Sequence, residues 1–197
     1  MEQINATGSQ EHDTHIKPHR PFEVVEYDPN WTVEFEIRRQ KLEKILGDQV
    51  IATHHIGSTA IPGMTAKPQI DILVVVKDLN SIKGKYDEMS AEGFEPRGDY
   101  TGIGEEYFTE DDREGMRLAS IHVLPQGHGE IEEQLNFRDY LIENENDRIL
   151  YAATKRKLFA THKDDYPAYG KGKEDVIMAI RQRANQWASH TSTREDK

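Results

Sequence analysis

The chain has 197 residues, 31% charged and 36% hydrophobic, with no cysteine. That length suits one domain with a real core, and the missing cysteines exclude disulfides, thiolate metal sites and a cysteine nucleophile. A net charge of −11 with histidines neutral argues against gripping nucleic acid with the chain as a whole, although a local basic patch can still hold a nucleotide.

No stretch approaches the roughly 18 apolar residues of a membrane helix. The N-terminal "MEQINATGSQEHDTHIKPHR" lacks the apolar core of a secretory signal. The expectation is a protein without a membrane, cytoplasmic by default. Residues 1–20 are polar and read as a disordered tail. It contains His12, His15 and His19, with no rigid element to bring them together. A single domain is expected over 21–188, followed by a second tail over 189–197.

Within the domain, Phe22 to Glu26 predicts a strand. Asp28 before Pro29 predicts a helix start, because Asp accepts from free backbone N–H groups and Pro is tolerated in the first turn. Trp31, Phe35, Leu42, Ile45 and Leu46 then recur near one helical face, and Gly47 ends the helix. A strand is expected from Val50 to His55. Ile70 to Val76 is the clearest strand, its continuous Ile, Leu and Val suggesting burial on both faces. A helix over Asn80–Ala91 should end at Gly93, with short strands and loops from Phe94 to Gly115. Another strand covers "MRLASIHVLP" and closes at Pro125. From Glu130 to about Ala188 the chain reads as helix in three segments, with Pro167 and Gly170 to Gly172 separating the last two. This order predicts an α/β (α+β) domain with a helical C-terminal part.

The chemistry concentrates in "HHIGSTAIPGMTAKPQIDILVVV", His54 to Val76. A Gly57-Ser58-Thr59 turn after a strand lets backbone N–H groups approach an anion, and the two hydroxyls add hydrogen bonds. Such turns are common, so alone it is a weak sign. Asp71 opens an otherwise apolar strand. Alternation puts Asp71, Leu73 and Val75 on one face and Ile70, Ile72 and Val74 on the other. A buried carboxylate there requires a cation, a metal or several N–H donors; the plainer account is an acid capping a neighbouring turn. His122 interrupts "SIHVLP" in the same way, and a lone strand histidine is more often a satisfied core residue than a ligand. On neighbouring strands, Asp71 and His122 would line one cleft. Asp, His and water suit Mg2+ or Mn2+, with His favouring Mn2+ or Zn2+.

Lys67 could reach a phosphate or simply be solvated. Tyr169 and Lys173 lie four apart, on one face of a helix; a tyrosine to stack a base and a lysine for phosphate would suit a nucleotide. Arg138 and Asp139 in "FRDYL" read as a helix-surface pair or as cleft residues. The run Lys155-Arg156-Lys157 reads as a solvated helix face. Arg117 falls on the face opposite His122 if its strand is regular.

Taken together, "YDPNW", the long segment around Gly57 to Val76, "SIHVLP", "LNFRDYL" and "AYGKGK" resemble the GrpB family of bacterial proteins, in order, from about Phe22 to Trp187. The resemblance implies a nucleotidyltransferase-like fold, a mixed β-sheet flanked by helices. It implies a Gly-Ser turn preceding a strand of acidic metal ligands, with Asp71 at the compatible spacing. The implied reaction is nucleotidyl transfer from a nucleoside triphosphate to a small-molecule or protein acceptor. Mg2+ or Mn2+ is expected on Asp71, His122 and His55, and the nucleotide on Gly57, Ser58, Thr59, Lys67, Tyr169 and Lys173. The chain departs from the pattern at Leu73, where a second acid is usual, at His122, on the strand that often supplies a third, and at His54, often Glu in the family. Two further readings follow: a non-catalytic nucleotide- or metabolite-binding relative, and an interaction or stabilising domain, since the family also occurs as an extension of dephospho-CoA kinases. Acceptor and oligomeric state are not legible in the sequence.

Overall fold

The computed structural model describes the backbone of residues 22–195 and the side chains of residues 22–190. The expected N-terminal tail and its histidines lie outside the described residues. No helix among the described residues is long and apolar enough to cross a membrane.

Phe22 to Glu26 is not a strand. It makes a single bridge, Val25 with Ala66, through a Val25 N–H to Ala66 O bond of 2.9 Å and its reciprocal of 3.0 Å. The ladder stops because Pro68, next along the partner segment, has no N–H to offer. Asp28 Oδ1 then accepts from the Asn30 N–H at 2.9 Å, and helix α1 runs Asn30–Leu46. Its buried Arg38 donates to Glu110 at 2.5 Å and to Glu34 at 2.6 Å, tying the helix to the sheet.

Strand β1 is Val50–Ile56 and β2 is Ile70–Val76. The helix expected over Asn80–Ala91 starts instead as 3-10 turns over Leu79–Lys85 and becomes α-helical (α2) only over Tyr86–Ala91. Gly84 sits inside the 3-10 stretch and weakens any α-helix there. Strands β3 (Glu95–Gly98), β4 (Glu106–Asp111) and β5 (Arg117–Pro125) complete the sheet. Four helices follow rather than three: α3 Gly129–Glu143, α4 Glu145–His162, α5 Tyr166–Lys171 and α6 Glu174–Glu195. The last one continues past the boundary expected at 188, to Glu195 within the segment read as a second tail.

The five strands lie in the order β1-β2-β5-β4-β3. Strands β2 and β5 are parallel and central; the other pairs are antiparallel. The architecture is thus an α/β fold with a mixed sheet and C-terminal helices. One sheet face presents Ile70, Ile72, Val74, Val76, Ala119, Ile121 and Val123, which pack with Trp31, Leu42, Leu46 and Met89. Each buried Ile, Leu or Val there contributes about 1.5–3 kcal/mol.

The other face carries Ile56, Leu73, Val75 and Leu124, covered in part by Ile131 and Leu135 of α3. A third cluster positions the site. Ile61 and Met64, just after the Gly-Ser turn, pack into the C-terminal helices against Tyr140, Leu141, Tyr151 and Ile180. That contact sets α4 beside the Gly57–Ser58 turn, where Lys155 reaches Ser58, and a separate bond from Lys67 to Tyr166 holds α5 near the start of β2.

Candidate functional site

Gly57 follows directly on β1 with φ +69°, a left-handed conformation that favours glycine. Its missing side chain matters as much as its backbone. A Cβ added there would lie 2.9 Å from Asp71 Cβ, with Oδ2 closer still. The Asp71 carboxylate therefore fills the space that any other residue at 57 would occupy. Gln69 supplies the donor that a carboxylate in this position requires: its Nε2 donates to Asp71 Oδ1 at 2.7 Å and to Ser120 Oγ at 3.0 Å. Ser120 pairs with Asp71 across β2 and β5 and bonds the Tyr107 hydroxyl at 2.8 Å.

Three lysines surround this turn. Lys155 of α4 is 2% exposed. Its Nζ donates to Ser58 Oγ at 2.6 Å and to Thr65 O at 2.7 Å, and lies 4.3 Å from the centre of the Tyr151 ring. Lys173 Nζ lies 4.5 Å from the Tyr169 ring centre. Lys67 Nζ donates to the Tyr166 hydroxyl at 2.8 Å and to Gln69 Oε1 at 3.3 Å, with a Tyr166 ring 4.6 Å from Nζ. Each ammonium is thus laid over a tyrosine ring, whose negative face attracts it, and none of the three forms an ion pair among the described residues. Burial pushes Lys155 well below the usual lysine range; the charge of Lys173 adds to this and Asp71 opposes it. Burial, with the charge of Lys67 second, holds Lys173 down to about 8.

The structure separates the residues expected to bind metal. His55 pairs with Ile72, on the face opposite Asp71. It stacks on Phe35 with ring centres 4.8 Å apart and its Nε2 lies 3.0 Å from Thr59 Oγ1. Thr59 gives its only hydroxyl proton to Gln69 O at 3.1 Å, so His55 Nε2 is the donor to Thr59. Burial lowers His55 to about 4, leaving the ring neutral. His55, expected as a metal ligand, and Thr59, expected to bind the nucleotide, are instead engaged with each other, Phe35 and Gln69 O in locking the turn.

His122 does share the face of Asp71, but it pairs with Leu73, one step along from Ser120. Its Nδ1 lies 2.7 Å from Glu105 Oε2. Leu73, where a second acid is usual, is fully buried in the apolar cluster with Ile56 and Leu124. Among the described residues, no three His, Asp or Glu side chains are grouped to hold a metal ion.

Three other expectations change. Tyr169 is 1% exposed, beneath Lys173 and 4.9 Å from the Phe22 ring, so it supports the lysine and offers no open face to a base. Lys155 is buried, not solvated. Its signal was in the sequence: Tyr151 and Lys155 have the same four-residue spacing as Tyr169 and Lys173. Arg117 is not isolated from the site face. The register shifts between Glu110 and Asp111, and this bulge brings Arg117 Nη1 within 3.3 Å of the Tyr107 hydroxyl. Arg138 donates to His55 O at 2.9 Å and to Asp139 at 2.7 Å, fastening α3 to the end of β1.

Known proteins resemble this chain along most of its length. UPF0157 protein YqkA of Bacillus subtilis is 35% identical over 88% of the chain, which spans 50% of that protein's length. A UPF0157 protein of Halalkalibacterium halodurans is 33% identical, with 86% of each covered. The crystal structure of conserved protein GrpB from Enterococcus faecalis superposes with a TM-score of 0.80 at 31% identity, covering 84% of this chain and 99% of that one. The family model described as GrpB protein matches residues 21–183, and the chain belongs to the GrpB family.

Proposed function

We propose that this protein is nucleotidyltransferase-like in function and binds a nucleoside triphosphate, with the phosphates against the Gly57–Ser58 turn. The observation that carries this reading is the trio Lys67, Lys155 and Lys173 beside one carboxylate, Asp71, in a chain of net charge −11. Charged, the three side chains repel one another, and burial disfavours the charge on Lys155 and Lys173. A phosphate chain relieves that repulsion and gives each a charge-assisted hydrogen bond, about 1.5–3 kcal/mol apiece.

The donor set does not fit the Mg2+ or Mn2+ pair that the resemblance implies. It offers one carboxylate, a buried leucine for the second acid, a histidine already held by Glu105, and ammoniums whose charge opposes a cation. Lysines here would supply the positive charge that metal ions supply elsewhere. The sealed position of Leu73 also favours a second reading, in which the nucleotide is bound and not transferred to an acceptor.

Thermal unfolding tests both. A saturating triphosphate should raise Tm by about 5–10 °C, through linkage at roughly a hundred times Kd. EDTA should leave the shift intact, and Lys155→Met should remove most of it. No shift with ATP, GTP, CTP, UTP or inorganic triphosphate, with or without metal, would sink the proposal. Pyrophosphate formed in the presence of small alcohols or proteins would exclude the second reading.

A further inference from the structure

The face that carries Asp71 holds a second polar group that the phosphate reading does not use. Glu105 has a side chain with no exposed surface, and it sits 2.7 Å from His122 Nδ1. Its other oxygen accepts from the Thr101 hydroxyl at 2.6 Å. A carboxylate that accepts at both oxygens makes Nδ1 the protonated nitrogen of His122. The lone pair of the neutral ring is then on Nε2. The ring is 19% exposed and rests against Tyr107 at 4.9 Å. No partner for Nε2 is present among the described residues.

His122 also lies near the phosphate turn. It pairs with Leu73 while Asp71 pairs with Ser120, so His122 and Asp71 are diagonal neighbours on one face, about 7–8 Å apart at their Cα atoms. A structural histidine needs neither a buried carboxylate to fix its tautomer nor an open second nitrogen. A proton acceptor requires the open nitrogen and is oriented by the carboxylate.

We propose that His122 is the proton acceptor of this cleft, with Glu105 as its positioning residue, and that the second substrate is a hydroxyl compound. This rests on the triphosphate reading. As the acceptor oxygen bonds to phosphorus, its proton moves to His122 Nε2. The bond from that phosphorus to the outgoing phosphate oxygen breaks, and that oxygen keeps the electron pair. Glu105 holds the resulting imidazolium. The step requires no redox partner.

Diethyl pyrocarbonate, which carbethoxylates unprotonated imidazole nitrogen, tests this on the full chain with peptide mass spectrometry. His122 should be modified in the wild type. Glu105→Gln should slow the modification about threefold or more, because the carboxylate fixes the proton on Nδ1 and leaves the Nε2 lone pair open. ATP at a concentration that saturates the Tm shift should slow it about tenfold. An unreactive His122, a rate unchanged by Glu105→Gln, or a rate unchanged by bound ATP would each overturn the proposal. If no triphosphate raises Tm, the transfer step falls with the phosphate reading, while the first two rates still decide whether the pair is a proton acceptor. The wild-type rate requires no variant to fold.

Discussion

The two faces of β2 come from alternate residues of one seven-residue run, IDILVVV, and they do different work. Ile70, Ile72, Val74 and Val76 meet α1 and α2 in a continuous apolar layer. Asp71, Leu73 and Val75 start polar and end apolar, and the change comes within one step. Asp71 looks onto Gly57, Gln69 and the lysines; Leu73 is sealed under α3. The lesson is that the polar part of this strand is one row deep. A second acid cannot be added to this strand without entering the core.

Leu73→Asp tests that depth most directly. A carboxylate there would lose its hydration among Ile56, Val75 and Leu124, with only His54 and His122 of the paired strands beside it, so chemical denaturation should show a loss of about 3–5 kcal/mol. A fully stable variant that gained Mn2+ binding would erase the distinction between the rows.

Gly57→Ala attacks the polar row from the other side. The new Cβ overlaps the Asp71 carboxylate and the backbone is left-handed. A loss of about 2–4 kcal/mol is expected from the combined strain and displacement. Gly57→Ala combined with Asp71→Ala should recover part of it, since only the backbone strain remains.

Lys155→Met should separate binding from stability. The buried cation is exchanged for an apolar chain of similar length, so stability should change by no more than about 1 kcal/mol. Triphosphate affinity by calorimetry should fall about tenfold or more. Equal losses in both would make Lys155 a structural residue.

The pH response sharpens the contrast further. Lys173 titrates near 8 when folded, against the usual 10.5. Between those values the unfolded chain binds more protons, so stability should rise with pH from about 8 to 10.5. Triphosphate affinity should fall over the same rise, as the ammonium is lost. On the apolar face the sign of the stability change is the same but the window differs. His55 titrates near 4 against 6.5, so stability should fall as pH drops from 6.5 to 4. Lys173→Met should flatten the first window and leave the second unchanged; His55→Gln should do the reverse.

Much of this was legible from local pattern. The continuous apolar run in "IDILVVV" placed β2 to the residue, and Gly57 and Asp71, singled out together, do meet in space. Where the reading failed, a distant neighbour decided the outcome. Phe22 to Glu26 has strand composition but faces a segment that Pro68 interrupts. His55 looks like a ligand beside the turn, and its direction depends on pairing with Ile72. Lys155 looks solvated within a basic run, and only the packing of α4 on the Ile61–Met64 loop buries it. Glu105 gave no signal, lying in an acidic loop where nothing local distinguishes it from its neighbours.

The sequence by itself determined most of the elements, the family and the lone acid at the head of a core strand, because periodicity and turn chemistry act over a few residues. Tertiary structure alone decided which cations and which carboxylate face that acid. Lys67, Lys155 and Lys173 are far apart in the chain, and Glu105 meets His122 only through pairing of β4 with β5. Charge and hydrogen bonding depend on distance in space, which the order of residues does not state.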